Sequence, residues 1–283
     1  MYKEEFNPCQ FMTERYFEFH HTYNETPPTV GFHQHPFYEI FFFLNGNVNY
    51  IIEGKSYNLR PGDILLTGSL DIHRPDIHPG KPYERIVIWL SDDFFGHLKD
   101  FYDEDLTACF TDSALKDHRL IRPDNQNILH LKKLCARMSE AKRSREIGSY
   151  ALTSAYLTEF LVHISRAYYD TPDSVKEDIV ENEQINQIIV YINENLTEDL
   201  SLEHLAGRLY ISKSYLCRQF KQFTGLSLYQ YIMKKRLTVS RNMLRNGSPV
   251  LDACFQCGFG DYSNYLKAFK REFGKTPSNY LKV

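Results

Sequence analysis

The sequence predicts an α+β, multidomain chain. Its N-terminal half is β-rich, of the sandwich or jelly-roll kind, with helices after it. Its last third is all-α and holds two helix-turn-helix units. Three observations predict this. Up to about residue 110, aromatic and β-branched runs are broken by turn residues at short intervals. From residue 125 the apolar positions return every three or four residues. From about residue 200 the chain repeats itself at a spacing of 49 residues.

In the β-rich part, residues 37–44, 48–52 and 85–90 read as strands. They are punctuated by Asn45-Gly46-Asn47, Glu53-Gly54-Lys55, Pro61-Gly62-Asp63 and Pro79-Gly80. The helical part begins with Ile128, Leu131, Leu134, Cys135 and Met138. A seam of Ile147, Tyr150, Ser154, Leu157, Leu161, Ile164 and Tyr168 follows, in alternating steps of three and four. Such a seam serves either to pack a helix on its own domain or to form a dimer interface. Residues 170–182 are polar, contain Pro172 and read as a linker. Ile185, Ile188, Ile189 and Ile192 then open an amphipathic helix. The expected division is 1–110, a helical dimerisation segment 111–169, the linker 170–182 and a C-terminal domain 183–283.

With 42% apolar residues, the 283-residue chain has enough for two ordinary cores. No apolar run approaches the roughly 18 residues of a membrane span. The charged start, Met1 to Phe6, gives no expectation of a secretory signal. Six cysteines, at 9, 109, 135, 217, 254 and 257, lack a scaffold-like spacing and read as reduced thiols in a cytoplasmic protein. Charge is uneven. From Glu183 onward, 14 Lys and Arg stand against 8 Asp and Glu, net +6, whereas the rest is net −9. A basic segment beside an acidic one suggests that the basic one meets a polyanion.

The repeat pairs Leu202 with Leu251, Glu203 with Asp252, Ser214 with Ser263, Arg218 with Lys267, Phe220 with Phe269, Gly225 with Gly274 and Tyr231 with Tyr280. Each copy reads as helix, turn, helix. Ser201 and Ser212 are the expected N-caps of the first copy, with its turn at Tyr210-Ile211. Pro249 starts the second copy, Gly258-Phe259-Gly260 is its turn and Asp261 caps its second helix. Leu216, Phe220, Tyr265 and Phe269 face inward. Lys213, Ser214, Cys217, Arg218 and Lys221 face out in the first copy, and Tyr262, Ser263, Asn264, Lys267 and Lys270 in the second. A helix-turn-helix puts the start of its second helix into the major groove, where Asn pairs with adenine and Arg or Lys with guanine. These ten residues are therefore the DNA-binding candidates. The helix from Ser227 to about Arg245 spans roughly 28 Å at about 1.5 Å per residue, near the roughly 34 Å turn of B-DNA. That length suits reading of successive grooves.

The segments "SLEHLAGRLYISKSYLCRQFKQFTGLS" and "GFGDYSNYLKAFKREFGKTPSNY" closely resemble the AraC/XylS-type DNA-binding domain. The resemblance implies base contacts from Ser214, Cys217 and Arg218, and from Tyr262, Ser263, Asn264 and Lys267. Cys217 departs from the longer polar side chain common there. Upstream, His33, His35, Glu39 and Gly46 have the HxHxxxE-x6-G spacing of the first cupin motif, and His73 follows later. The first half thus resembles the cupin-like sensor that commonly precedes such domains and binds small effectors, often sugars. The second cupin motif is eroded, with Gly68, Leu70 and Ile77 at its usual proline, glycine and asparagine positions.

Residues 33, 35 and 39 share parity, so one strand would turn them to one side. His33, His35, Glu39 and His73 match a cupin metal site suited to Zn, Fe, Mn, Ni or Cu. The preferred reading makes them polar pocket residues that touch an effector, so no cofactor is expected. Tyr38 and Trp89 offer a stacking face for a sugar, although core packing is the commoner role of such rings. Cys254-Phe-Gln-Cys257 lacks a second pair and reads as packing. His20-His21 reads as a surface pair. There is no GxSxG, no phosphate-binding glycine loop and no HExxH.

Together these features predict an effector-controlled transcription regulator. Its expected partners are operator DNA, a small effector, a second copy of the chain and, as a further candidate, RNA polymerase. Activation is the usual outcome that the resemblance implies. The rivals are a metal-dependent cupin enzyme with an accessory DNA-binding tail, and a nucleoid protein without sequence preference.

Overall fold

A computed structural model gives the structure of the chain and describes residues 10–69, 71–111, 118–144, 146–245 and 247–280. The leader expectation for Met1 to Phe6, Cys9, and Leu70 of the eroded motif lie outside the described residues. The chain divides into two compact units, residues 1–52 with 56–180, and residues 53–55 with 181–283.

In the first unit, two sheets face each other. One has the order β1 (Phe17–Asn24), β7 (Tyr83–Leu90), β2 (Tyr38–Asn45), β5 (Ile64–Thr67), β8 (Leu120–Ile121). The other has the order β6 (His73–Ile77), β3 (Val48–Ile52), β4 (Lys55–Asn58), β9 (Ile179–Val180). Glu53 and Gly54 both take positive φ, at 49° and 80°, as a two-residue hairpin turn between β3 and β4 requires.

β2 explains why residues 37–44 are almost continuously apolar. Phe41 and Phe43 join Val48, Tyr50 and Ile52 in the core between the sheets. Ile40 and Phe42 face the opposite way, into a second core with the helices. A strand covered on both faces has no polar side to alternate with.

The helices are α1 (Asp92–Tyr102), α2 (Ala108–Thr111), α3 (Asn125–Ser144) and α4 (Ser149–Asp170). α1 lies inside the stretch expected to be β-rich. Ser91 caps it by accepting from Phe94 N, and Asp92 and Asp93 lie in its first turn, a start signal that the strand reading passed over. Leu131, Leu134, Cys135 and Met138 of α3 reach the same core as Leu157, Phe160, Leu161, Ile164 and Tyr168 of α4. The second half of the expected seam is therefore used within the chain. At its other end Ile147 and Tyr150 are exposed.

The stretch expected as a linker carries a 3-10 helix, Asp173–Asp178, and then β9, which pairs with β4. Charge fixes it in place. Arg122 donates from Nε and Nη2 to both Asp63 oxygens, at 2.8 and 2.7 Å. Arg122 Nη1 and Arg60 Nη2 both reach Asp178 Oδ2, at 2.5 and 2.6 Å. Asp63 is buried, so this bidentate pair is well shielded from water.

The second unit is helical: α5 (Glu183–Glu194), α6 (Leu202–Arg208), α7 (Lys213–Thr224), α8 (Leu228–Arg245), α9 (Val250–Gln256), α10 (Tyr262–Phe273) and α11 (Pro277–Tyr280). Ile185, Ile188, Ile189 and Ile192 of α5 are all buried. Cys254 and Cys257 sit in the core of the second copy with Leu237, Leu244, Tyr265 and Phe269. Burial pushes the Cys257 thiol up to about 11, and both cysteines are free thiols in a packing position.

Candidate functional site

The first unit has a cavity of about 440 Å³, partly open to solvent, on the inner face of its larger sheet. Strand parity chooses its walls. His20 and Thr22 come from β1, Glu39 and Phe41 from β2, and Tyr83, Arg85, Val87 and Trp89 from β7, with Tyr50 opposite on β3. His33 joins them.

Four expected residues converge here, by a different route from the one the spacing suggested. β2 begins only at Tyr38, so His33 and His35 lie on the segment before it and do not share one strand with Glu39. His33 is instead held by a pair of 3.0 Å backbone hydrogen bonds with His73 at the start of β6. The ring nitrogens of His33, His35 and His73 lie within 4.8 Å of one another, and all three residues are buried.

The Glu39 carboxylate sits among them. Its Oε2 accepts from Trp89 Nε1 at 2.9 Å and lies 3.2 Å from His35 Nε2. Its Oε1 accepts from the Tyr50 hydroxyl at 3.0 Å and lies 4.0 Å from His73 Nε2. Burial opposes ionisation, but the hydrogen bond to His35 and the charge of the surrounding imidazoles outweigh it, so the carboxyl stays well below its usual range. Burial and the repulsion of His33 and His35 move His73 down to about 3.

Trp89 stands in the cavity as expected. Tyr38 does not: it neighbours Glu39 on β2 and so points to the other face. There it packs edge-on against Phe95 of α1 and Phe110 of α2. His20, expected at the surface, stacks edge-on against Trp89 at 4.8 Å and lines the cavity, whereas His21 is exposed and pairs with Glu84. Tyr50, Tyr83 and Arg85 were not singled out from the sequence. The alternation Tyr83, Arg85, Val87, Trp89 was the available signal.

In the second unit the expected caps form. The side chains of Ser201, Ser212 and Asp261 accept from His204 N, Tyr215 N and Asn264 N. Lys213, Ser214, Cys217, Arg218 and Lys221 are exposed on α7, and Ser263, Asn264, Lys267 and Lys270 on α10. Tyr262 is half-buried against the core of its copy. Lys213 already has a partner in Glu203.

The period of 49 holds for α7 and α10, both 12 residues long with caps at 212 and 261. It fails for the helices before them. Ile211 N donates to Ala206 O and Phe259 N to Cys254 O, and the positive φ falls at Tyr210 and Gly258, so these positions match at 48. Leu202 therefore corresponds to Val250, not Leu251, and Cys254 to Ala206, not Leu205. Gly260 is the extra residue in the second turn.

Residues 17–155 match a family model described as an AraC-like ligand binding domain, and residues 205–282 one described as a helix-turn-helix domain. The chain is 28% identical to the HTH-type transcriptional activator RhaS of Enterobacter sp. (strain 638), over 87% of this chain and 85% of that protein. It is 27% identical to the protein of the same name from Salmonella schwarzengrund (strain CVM19633), with the same coverage. Among solved structures, an apo form of ToxT from Vibrio cholerae is 16% identical, with 95% of this chain and 98% of that one covered and a TM-score of 0.42. No helix among the described residues is long and apolar enough to cross a membrane. With a ligand-binding domain ahead of a helix-turn-helix DNA-binding domain, the chain belongs to the AraC family of transcription regulators.

Proposed function

We propose that the chain is a one-component transcription activator that works in the cytoplasm without catalytic turnover. A small effector, a sugar or related metabolite, enters the cavity beside His33, His35, Glu39, His73 and Trp89, and the exposed faces of α7 and α10 read an operator. One observation carries the DNA-reading part. Two helices of equal length, each capped by a side chain, present small polar residues and then cations at the same offset: Ser214, Arg218 and Lys221 in one, Ser263, Lys267 and Lys270 in the other. Capped N-termini with Arg or Lys one turn on suit entry into the major groove. The relatives' name as activators supports the sign of regulation and leaves RNA polymerase as a further partner.

The chain acts as a homodimer, with the exposed Ile147, Tyr150 and Leu152 as the apolar face left for a second copy. The effector controls DNA binding only through a difference in its affinity for two arrangements of the chain.

The test is a gel-shift assay on DNA upstream of the gene and its neighbours, with random duplex as competitor. Retention that survives the competitor, and is lost in the double variant Arg218→Ala/Lys267→Ala, is the expected result. Equal retention of random duplex would return the nucleoid reading. The imidazole–carboxylate cluster also favours a rival, a metal-dependent cupin enzyme with a DNA-binding tail. Turnover of a small substrate, without specific retention of DNA, would establish that rival.

A further inference from the structure

We propose that His130, Glu159 and His163, on the outer side of α3 and α4, form a site for one zinc ion that clips the two helices together. The site is separate from the cavity of the same unit and does not depend on how that cavity is read.

The sequence sets two of the three ligands side by side. Glu159 and His163 stand four residues apart on α4, so one helical turn stacks them on one face. The same step lets a single helix offer two ligands to one ion. His130 comes from α3, and packing brings it across. Its neighbour Leu131, with Leu134, shares one core with Phe160 and Ile164 of α4. The backbones that carry the ligands are therefore fixed, and only side-chain torsions remain to be set.

The distances suit an ion better than a hydrogen bond. The ligand atoms of the three residues all lie within 4.8 Å of one another. The two imidazole centres are 4.4 Å apart, with their planes at 62°. His130 Nε2 stands 3.4 Å from Glu159 Oε1. Bonds of about 2.1 Å at the tetrahedral angle of zinc put neighbouring ligand atoms about 3.4 Å apart. A charge-assisted hydrogen bond would instead close to about 2.8 Å. Glu159 is exposed and His163 half-buried, so both side chains have room to turn and bring the wider separations in.

The nitrogen of His130 has a further need. The ring is partly exposed, but its Nε2 is buried and has no hydrogen-bond partner among the described residues. A shielded polar atom in that state carries the full penalty of its lost hydration. A cation shared with the Glu159 carboxylate and the second imidazole removes that penalty.

The donor set chooses the metal. Two imidazole nitrogens and one carboxylate oxygen suit zinc, whereas magnesium and calcium prefer all-oxygen shells. Three protein ligands leave the fourth position of a tetrahedral ion to water. An ion held in this way, at the protein surface, exchanges with solution. Its occupancy follows the zinc concentration and sets how firmly α3 and α4 are joined.

The full chain, free of any affinity tag, is stripped with a chelator and titrated with zinc chloride. Bound zinc is counted in the wild type and in His130→Gln, Glu159→Gln and His163→Gln. The difference between wild type and variant is the readout, so that zinc bound elsewhere cancels. Each variant should lose one zinc per chain while its circular dichroism and zinc-free Tm stay those of the wild type. At a free concentration about 100-fold above Kd, zinc should raise the wild-type Tm by roughly 5 °C or more, and magnesium should not. Amide exchange should slow in both helices when zinc is added. An equal zinc count in the wild type and all three variants overturns the site. Loss of zinc on Glu159→Gln and His163→Gln but not on His130→Gln, with α3 exchanging as before, overturns the clip.

Discussion

The two helix-turn-helix copies solve one packing problem with different residues. In the first copy, Leu205 and Ala206 of α6 meet Leu216 and Phe220 of α7, all buried. In the second, Ala253 of α9 replaces Leu205 and Tyr265 of α10 replaces Leu216, so a smaller side chain on one helix is matched by a larger one on the other, with Cys254 and Phe269 completing the same core. The turns differ more. Tyr210 takes φ 55° and is 97% exposed, whereas Gly258 takes φ 92° in a crowded place. A Cβ on Gly258 would stand 2.1 Å from the Leu196 carbonyl oxygen. That oxygen is held by Arg236 Nε of α8 at 2.8 Å, so it has little room to retreat. The reading helix and its cap keep a constant spacing, and the turn absorbs the difference. Glycine is needed only where another segment presses on the left-handed residue.

The largest effect expected from this contrast is on stability. Gly258→Ala should cost about 3 kcal/mol or more, because it combines a strained φ with a backbone clash. Tyr210→Gly should change stability by less than about 1 kcal/mol. Thermal unfolding of the two variants measures both, and equal shifts in Tm would remove the distinction between the turns. Next come the two readers. Arg218→Ala and Lys267→Ala should each relax specificity at a different half of the operator by about 1–3 kcal/mol, read as binding to operators mutated position by position. Identical profiles for the two variants would mean that the copies do not read separate half-sites.

The caps should follow. Ser212→Ala and Asp261→Ala should each destabilise by about 1 kcal/mol. Asp261→Ala should lose more, since it also removes a negative charge from a helix N-terminus. Denaturant midpoints decide the order, and Asp261→Asn, which keeps the cap without the charge, should fall between wild type and Asp261→Ala. The smallest effect belongs to Glu203→Gln. It frees Lys213 from an exposed pair, leaves Tm unchanged and should raise affinity for random duplex by less than about tenfold at low salt.

Sequence alone reached the helical unit further than the barrel. Caps such as Ser212 and Asp261 are local, and the chemistry that makes them is written within four residues. The one-residue slip between α6 and α9 was hidden because Leu251 and Asp252 happen to resemble Leu202 and Glu203, although only Val250 occupies the corresponding packing position. In the first unit, the His33–His35–Glu39 spacing picks out residues that do meet, but not on one strand. These residues meet because the segment before β2 pairs with β6, a contact 40 residues distant. Parity alone would have separated Tyr38 from Glu39. By contrast, Arg85 and Tyr50 became recognisable only once the sheets had closed around one space. The 3-10 helix after α4 has the polar composition of a linker, and the ion pairs that fix it come from Arg60 and Arg122, far away in the chain.

Among the described cysteines, 109, 135, 254 and 257 are buried and Cys217 alone is exposed. That thiol lies on α7 between Ser214 and Arg218, on the face proposed to meet bases. A maleimide dye would therefore attach where DNA docks, and the rate of labelling becomes a clock for occupancy of the first reader. Protection by operator, measured with and without candidate effectors, would report how long the helix stays in its groove.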